Sequence, residues 1–80
     1  MIFEWDSKKE KSNLLKHKLT FDEAATVFGD YFSVTVADPL HSLRENRFIT
    51  IGRSDKNNLI VVVHADRGEV IRLISARKAS

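Results

Sequence analysis

A pair of neighbouring apolar runs near the carboxyl end constrains the fold of this chain more than any other feature. Residues 59–64 and 70–74 are rich in Val and Ile, and a short polar segment separates them. β-Branched residues favour strands, and Gly68 in the connection can supply the positive φ that a tight hairpin needs. The sequence therefore predicts an antiparallel hairpin that turns at residues 66–68.

The register of this hairpin decides which side chains share a face. A loop of residues 66–68 places His64 opposite Val70 and Val62 opposite Arg72, so that His64 and Arg72 become diagonal neighbours. A shift of one residue would move every side chain to the other face, and the pair therefore depends on the turn. The face opposite this pair is wholly apolar and is predicted to form the core: Leu59, Val61, Val63, Ile71 and Leu73.

The residues before the hairpin carry helix and strand signals in a clear order. Residues 1–5 alternate like a short strand, and Asp6 suits the N-cap of a helix over 7–17. Thr20 begins a capping-box pattern, and the apolar residues after it recur at helical spacing. These signals predict a second helix over 21–28.

Further strands are predicted at 31–37 and 47–53, separated by a polar loop. Pairing Arg53 with Leu59 sets the register of the second of these strands against the hairpin. The order of elements predicts an α+β fold: an antiparallel sheet of about four strands with two N-terminal helices packed on one face. In the strand over 31–37, the side chains predicted to point to the core are Phe32, Val34 and Val36.

Length and composition limit the functional classes. A chain of 80 residues forms one small domain. It has no Cys, so neither a disulfide nor a thiolate metal site is possible, and a reducing cytoplasm is the expected compartment. No apolar run approaches the roughly 20 residues of a membrane span. The histidines at 17, 41 and 64 are too widely spaced for a metal motif, and no cofactor is predicted.

Charge is distributed unevenly along the chain. The net charge is +2, but residues 8–18 are rich in Lys, whereas residues 19–43 contain acidic residues and neither Lys nor Arg. This asymmetry fits one surface for a polyanion and another for a different partner. It fits equally well a solvated basic helix beside an acidic helix start.

Several basic residues are candidates for chemistry on a phosphate. His64 can move a proton near neutral pH and Arg72 can hold a phosphate, although a half-buried His and an Arg that covers the sheet with its stem would look the same. Lys16 and His17 sit at the end of the first helix, where they either contact phosphate or complement the helix dipole. Arginines at strand ends form a phosphate clamp or are ordinary surface cations: Arg53 and Arg77, with Lys78 beside them.

Other kinds of site find no support in the sequence. There is no nucleophile elbow, Gly-rich phosphate loop or aromatic RNA-stacking motif. The remaining enzymatic interpretation is RNA cleavage by the substrate's own 2′-OH, which needs only a general base, a general acid and cations around the phosphate. The alternative is a non-catalytic module that acts only through a protein partner.

Several motifs, taken together and in order, are specific enough to indicate a family. They are F-E-W-D at 3–6, N-L-L-K-H at 13–17, F-D-E-A-A-T-V-F at 21–28, E-N-R-F-I-T-I-G-R-S at 45–54, V-V-H-A-D-R-G-E at 62–69 and R-L-I-S-A-R at 72–77. In these motifs the chain resembles the BrnT toxins of bacterial BrnT/BrnA toxin–antitoxin systems.

The resemblance implies a RelE-like fold and a metal-independent endoribonuclease that halts translation. It also implies an antitoxin partner of the BrnA type, a ribbon-helix-helix dimer that binds operator DNA, commonly in a complex with two copies of each protein. Relatives usually have Gly where this chain has Lys18, and they typically continue beyond the position of Ser80 into a charged C-terminal helix, which we expect this domain to lack. Carried over by motif position, the candidate catalytic residues are Lys16, His17, Arg53, His64, Arg72 and Arg77.

Overall fold

The computed structural model describes residues 1–40 and 46–79, so His41 and the predicted loop residues 41–45 lie outside the described residues. Its strands form a five-stranded sheet in the order β1-β5-β4-β3-β2. The fold is α+β as predicted, but the sheet is mixed, because β1 runs parallel to β5 at one edge. The elements are β1 (Ile2–Trp5), α1 (Ser7–His17), α2 (Phe21–Thr26) with a following 3₁₀ turn (Val27–Gly29), β2 (Val34–Ala37), β3 (Arg47–Arg53), β4 (Leu59–Arg67) and β5 (Val70–Lys78).

The first helix, α1, begins and ends where the sequence predicts. The carboxylate of Asp6 accepts hydrogen bonds from the backbone N–H groups of Lys8 and Lys9, at 2.7 and 3.3 Å. At the other end Lys18 adopts a left-handed conformation with φ 59°, and its N–H donates to the carbonyl of Leu14. Lys18 therefore ends the helix in the conformation that Gly adopts more easily.

The second helix, α2, is tied to the sheet through its capping residues. The hydroxyl of Thr20 accepts a hydrogen bond from the N–H of Glu23 at 3.1 Å, as a capping box requires. The carboxylate of Glu23 does not close the box. It accepts hydrogen bonds from the Ser54 hydroxyl at 2.7 Å and the Asn58 amide at 2.8 Å. Glu23 therefore joins α2 to the turn between β3 and β4.

The hydrophobic core lies between the two helices and one face of the sheet, which we call the covered face. Trp5 lies beside the core and packs edge-to-face on Phe21, with ring centroids 5.8 Å apart. Full burial of each large apolar side chain contributes roughly 1.5–3 kcal/mol, so this cluster supplies most of the packing energy of a small domain. Its buried members are Leu19, Phe21, Ala24, Val27, Ile60, Val62, Leu73 and Ala76.

The prediction of which face of β4 forms the core was wrong. Ile60 and Val62 are buried on the covered face. Val61 and Val63 therefore lie on the opposite side, which we call the open face. The residues over 59–63 are apolar at every position, so their alternation carries no information about the two faces. The register between β3 and β4, with Arg53 opposite Leu59, is confirmed.

The same inversion affects β2 and the residues before it. Val34 and Val36 are 59% and 52% exposed, and Phe32 is also exposed rather than in the core. Thr35 instead turns toward the covered side, where its hydroxyl lies 2.7 Å from that of the buried Thr50. A hydroxyl can enter the covered face here because a second hydroxyl satisfies it.

The β4–β5 hairpin turns at Gly68 and Glu69, one position later than the predicted loop 66–68. Gly68 has φ +65°, and Arg67 pairs with Val70 across the two-residue connection. Two-residue loops with positive φ match the twist of the flanking strands. The predicted hairpin is therefore correct, but its register is not.

A β-bulge shifts the register of the hairpin a second time. His64 pairs with Leu73 and Val63 pairs with Ser75, so one residue of β5 is left between them. Arg72, next to Leu73, pairs with Ala65 and points to the open face. His64 and Arg72 were predicted to be diagonal neighbours, but they lie on opposite faces of the sheet. Neither helix of the described residues is long and apolar enough to cross a membrane.

Candidate active site

One end of the open face carries a row of basic side chains that crosses the strands. Arg47, Ala65 and Arg72 are paired across β3, β4 and β5, and Glu4 continues the row in β1. Strands lie about 4.8 Å apart, which puts the Cα atoms of the two arginines ~10 Å apart with a small side chain between them. Glu4 pairs with Arg72 at 3.2 Å and lies 3.8 Å from Arg67. This geometry can place more than one guanidinium on a single phosphate.

The other end of the open face carries Arg77 and Arg53, both exposed. Arg77 is paired with Val61, and Arg53 ends β3 on the same side of the sheet. The backbone N–H of Arg53 donates to the carboxylate of Asp30 at 2.8 Å, and that of Phe32 donates to it at 3.0 Å. These two bonds lower the pKa of Asp30, so the carboxylate stays ionised and fixes the strand end.

Between the two arginine-bearing ends the open face is apolar. The side chains here come from β2, β3 and β4, and those of β2 are the most exposed. We call this surface the aliphatic strip, and it contains Val34, Val36, Ile49, Ile51, Val61 and Val63.

The helix α1 crosses the part of β5 that β1 leaves unpaired. β1 pairs with β5 only as far as Leu73. Beyond that point the amide of Asn13 takes the place of a strand, because it accepts from the N–H of Ala76 at 3.0 Å and donates to its carbonyl at 2.9 Å. It also donates to the carbonyl of Leu19 at 3.3 Å. Asn13 is buried, so these bonds fix α1 against the sheet.

A groove of about 250 Å³ lies between α1 and β5. Lys16 and His17, both exposed, are among its lining residues, so the structure brings these predicted site residues to the bulge of β5. In the sequence the bulge lies between Arg72 and Arg77. Bulges are common next to active sites because they re-aim side chains. The full lining is Lys9, Ser12, Asn13, Lys16, His17, Ile74 and Ser75.

His64 lies away from this groove, inside the core. It is 2% exposed, and its ring packs against Phe28 and Phe48 with centroid distances of 4.8 and 5.9 Å. Its Nε2 lies 2.7 Å from the hydroxyl of Thr50, and its Nδ1 lies 2.9 Å from the carboxylate of Asp66. A ring enclosed in this way is part of the packed core.

The hydrogen bonds of His64 belong to a chain that runs from Thr35 through Thr50 and His64 to Asp66. The carboxylate of Asp66 accepts from Nδ1–H. When the ring is neutral, Nε2 accepts from the Thr50 hydroxyl, and when the ring is protonated the direction of that bond reverses. The bond between the two threonine hydroxyls can reverse with it, so either form of the ring is satisfied.

Sequence reasoning missed Asn13, Lys9 and Ser12 on α1, and Arg47 on β3. A signal for the first three was present, because residues 9, 12, 13 and 16 recur at helical spacing on one face. That face looked too polar to pack, so it was not recognised as the face toward the sheet. Within residues 1–40 and 46–79, no three His, Asp or Glu side chains are arranged to hold a metal ion.

Comparison with known proteins agrees with the fold and identifies a family. A family model described as the ribonuclease toxin BrnT of type II toxin–antitoxin systems matches residues 5–80. The crystal structure of the ribonuclease toxin BrnT of Brucella abortus is similar, with a TM-score of 0.73 and 25% identity, over 100% of this chain and 99% of that one. No curated protein matches the sequence. Because the family model spans nearly the whole chain, the chain belongs to the BrnT family of ribonuclease toxins of type II toxin–antitoxin systems.

Proposed function

We propose that this chain is a metal-independent endoribonuclease that cleaves RNA at the open face of its sheet and thereby halts translation in the cytoplasm. The observation that carries this proposal is the row in which Arg47 and Arg72 flank Ala65. Planar guanidinium groups bind phosphate oxygens in pairs and remain charged at any physiological pH. Lys16 and His17 lie beside this face, at the β5 bulge.

The proposed chemistry needs charge stabilisation and proton transfer. The 2′-oxygen attacks the adjacent phosphorus, a bond to the 2′-oxygen forms, and the bond to the 5′-oxygen breaks to leave a cyclic phosphate. Arg72 and Arg47, on either side of Ala65, hold the phosphate and offset the negative charge that develops on it, and Arg77 binds RNA at the other end of the open face. His17 is exposed and takes part in moving the proton, from the 2′-OH or to the departing 5′-oxygen. Lys16 adds positive charge next to it, and Arg53 binds RNA beyond the reacting group.

The burial of His64 removes it from this set. Proton transfer was expected of His64 or His17, and of these two only His17 is exposed. A buried ring that already has a partner on each nitrogen has no free atom for a substrate. We therefore assign the proton transfer to the groove beside α1.

A type II toxin has an antitoxin partner. We propose that this partner is a BrnA-like ribbon-helix-helix protein that forms a complex with two copies of each chain and binds operator DNA. A second candidate function, a non-catalytic module that acts only through such a partner, is favoured by the aliphatic strip. Aliphatic side chains do not stack on bases, and exposed apolar surface is typical of protein contacts.

The test is RNA cleavage in EDTA by the purified chain and two variants. We expect the parent to cleave and Arg72→Ala and His17→Ala to lose about 100-fold or more of the rate, because each removes charge stabilisation or proton transfer from the transition state. The control Glu4→Gln removes the ion partner of Arg72 but keeps the cation, and it should stay active. Full activity of both variants, or an inactive parent, would favour the interaction module.

A further inference from the structure

We propose that the groove between α1 and β5 is a binding subsite for an RNA phosphate next to the scissile one, with Lys9 and Ser12 as its ligands. The proposal rests on the proposed function, because Ile74 and Ser75 in the groove wall follow Arg72, which is assigned to the reacting phosphate, along β5. The subsite adds two residues, Lys9 and Ser12, that the catalytic assignment does not use. Because it binds a second phosphate, the substrate is a single RNA strand longer than a dinucleotide.

The helix geometry separates the residues of this subsite from other lysines nearby. Lys9 and Ser12 lie three residues apart, on the face of α1 that carries Asn13 toward β5. Lys8 and Lys11 are also exposed on α1, but they do not line the groove. Lys8 and Lys11 therefore differ from Lys9 in position while they share its charge, helix and exposure.

The chemistry of the lining selects an anion. The groove presents the ammonium groups of Lys9 and Lys16, the imidazole of His17 and the hydroxyls of Ser12 and Ser75, and no carboxylate of residues 1–40 or 46–79 lines it. Its volume of about 250 Å³ leaves room for a phosphate group. Lysine binds phosphate as a point charge without reading the base. The ligand is therefore the RNA backbone and not a particular sequence.

The groove is also held open before any ligand arrives. The buried amide of Asn13 makes hydrogen bonds to both the N–H and the carbonyl of Ala76, so α1 cannot slide along β5 without breaking them. A site that is already formed costs less to occupy than one that must be ordered. Ile74 and Ser75 form the β5 wall of the groove and lie between Arg72 and Arg77 in the sequence. An RNA chain that extends from Arg72 along β5 therefore reaches the groove at the edge of the sheet.

The test is binding of 2′-O-methyl oligonucleotides, which lack the attacking hydroxyl and are not cleaved. We expect Lys9→Ala to weaken binding of a hexanucleotide about 5-fold at low salt and to reduce the salt slope of binding by about 0.7. Binding of a dinucleotide should not change. Lys8→Ala and Lys11→Ala are matched controls and should leave both probes unaffected. Ala is a strong helix former, so all three variants should fold.

The outcomes separate the subsite from the proposed function. Equal losses in Lys8→Ala and Lys9→Ala would show a diffuse charge effect and overturn the subsite, as would unchanged hexanucleotide binding in Lys9→Ala or no binding by the parent. Loss of antitoxin binding in place of RNA binding would make the groove a protein contact and overturn it too. A parent that binds through Lys9 but cleaves no RNA would contradict the proposed function and support the subsite.

Discussion

The covered and open faces of the sheet use polar and apolar side chains in opposite ways. On the covered face Thr50 and His64 are buried among apolar side chains, and each finds a hydrogen-bond partner there. On the open face Val34 and Val36 are more than half exposed. The comparison teaches that the polarity of a side chain does not show which face it occupies in this chain. A polar side chain is buried on the covered face where a hydrogen-bond partner is available to it.

The difference also separates stability from chemistry. The covered face contains the core cluster and a closed hydrogen-bond chain, so substitutions there should change the free energy of unfolding. The open face carries half-buried and exposed arginines; the Arg72–Glu4 ion pair is partly in water, and such pairs contribute little to stability, about 0–1 kcal/mol. Substitutions of Arg72 or Arg77 should therefore change activity and leave the fold intact. Each prediction below tests this separation.

The largest expected effect is that of His64→Ala. The substitution leaves a cavity between two aromatic rings and removes one hydrogen-bond partner from each of Thr50 and Asp66, so the free energy of unfolding should fall by about 3–4 kcal/mol. His64→Gln keeps part of the hydrogen bonding and should lose less. Urea denaturation measures both, with His17→Ala as the control that keeps parental stability. If His64→Ala were as stable as the parent but inactive, the hydrogen-bond chain from Thr35 to Asp66 would belong to the catalytic machinery.

A smaller effect on stability is expected from the same substitution, Val to Thr, made on each face in turn. Val62→Thr buries a hydroxyl in the core and should cost about 2 kcal/mol, whereas Val34→Thr on the open face should change stability by less than about 0.5 kcal/mol. Thermal or urea unfolding of the two variants gives the difference directly. Equal costs would mean that Val34 is packed against something that the isolated chain provides, and the division between the faces would fail.

Local signals in the sequence predicted the helices well. The Asp6 cap and the helix to His17 were found, as was the register of β3 on β4. These features are set by neighbours in sequence, or by a single turn that pairs Arg53 with Leu59. The sequence contains their whole physical cause.

The faces of the sheet could not be predicted in the same way. His64 was predicted to share a face with Arg72, away from the core, yet it lies inside the core and is hydrogen-bonded to Thr50. That assignment needed knowledge of a contact across strands. The two-residue turn at Gly68 and Glu69 pairs Arg67 with Val70, and this register sets Arg72 on the face opposite His64. The bulge between Leu73 and Ser75 lies farther along the hairpin, and nothing in R-L-I-S-A-R marks it.

The sequence indicated only part of the candidate site, because contacts between distant segments bring some of its residues together. Lys16 and His17 were selected by family resemblance and lie together at the groove. Arg72 and Arg77 are on the open face beside it. Asn13, which fixes α1 at that edge, acts through a partner far away in sequence, Ala76; the helical spacing of residues 9, 12, 13 and 16 marks a shared face of α1 but not this contact.

The smallest predicted effect concerns a carboxylate on the covered side. Burial of Glu23 opposes its ionisation, but hydrogen bonds from Asn58 and Ser54, together with the charges of Lys56 and Lys78, outweigh this cost and lower its pKa below the ordinary value of 4.5. The folded protein therefore favours the ionised form more than the unfolded chain does. The resulting stabilisation is present above pH 4.5 and is lost as the pH falls through the lowered pKa.

Glu23→Gln replaces charge-assisted hydrogen bonds with neutral ones and should cost about 1 kcal/mol at pH 7. The difference from the parent should shrink as the pH falls below 4.5, because protonation makes the parent resemble the variant. Urea unfolding at a series of pH values measures it. Asn58→Ala removes one of the bonds that lower the pKa and should weaken the pH dependence without abolishing it. A difference that stays constant with pH would show that Glu23 holds α2 to the β3–β4 turn by shape and neutral hydrogen bonding, and that the stability of the covered side does not depend on this charge.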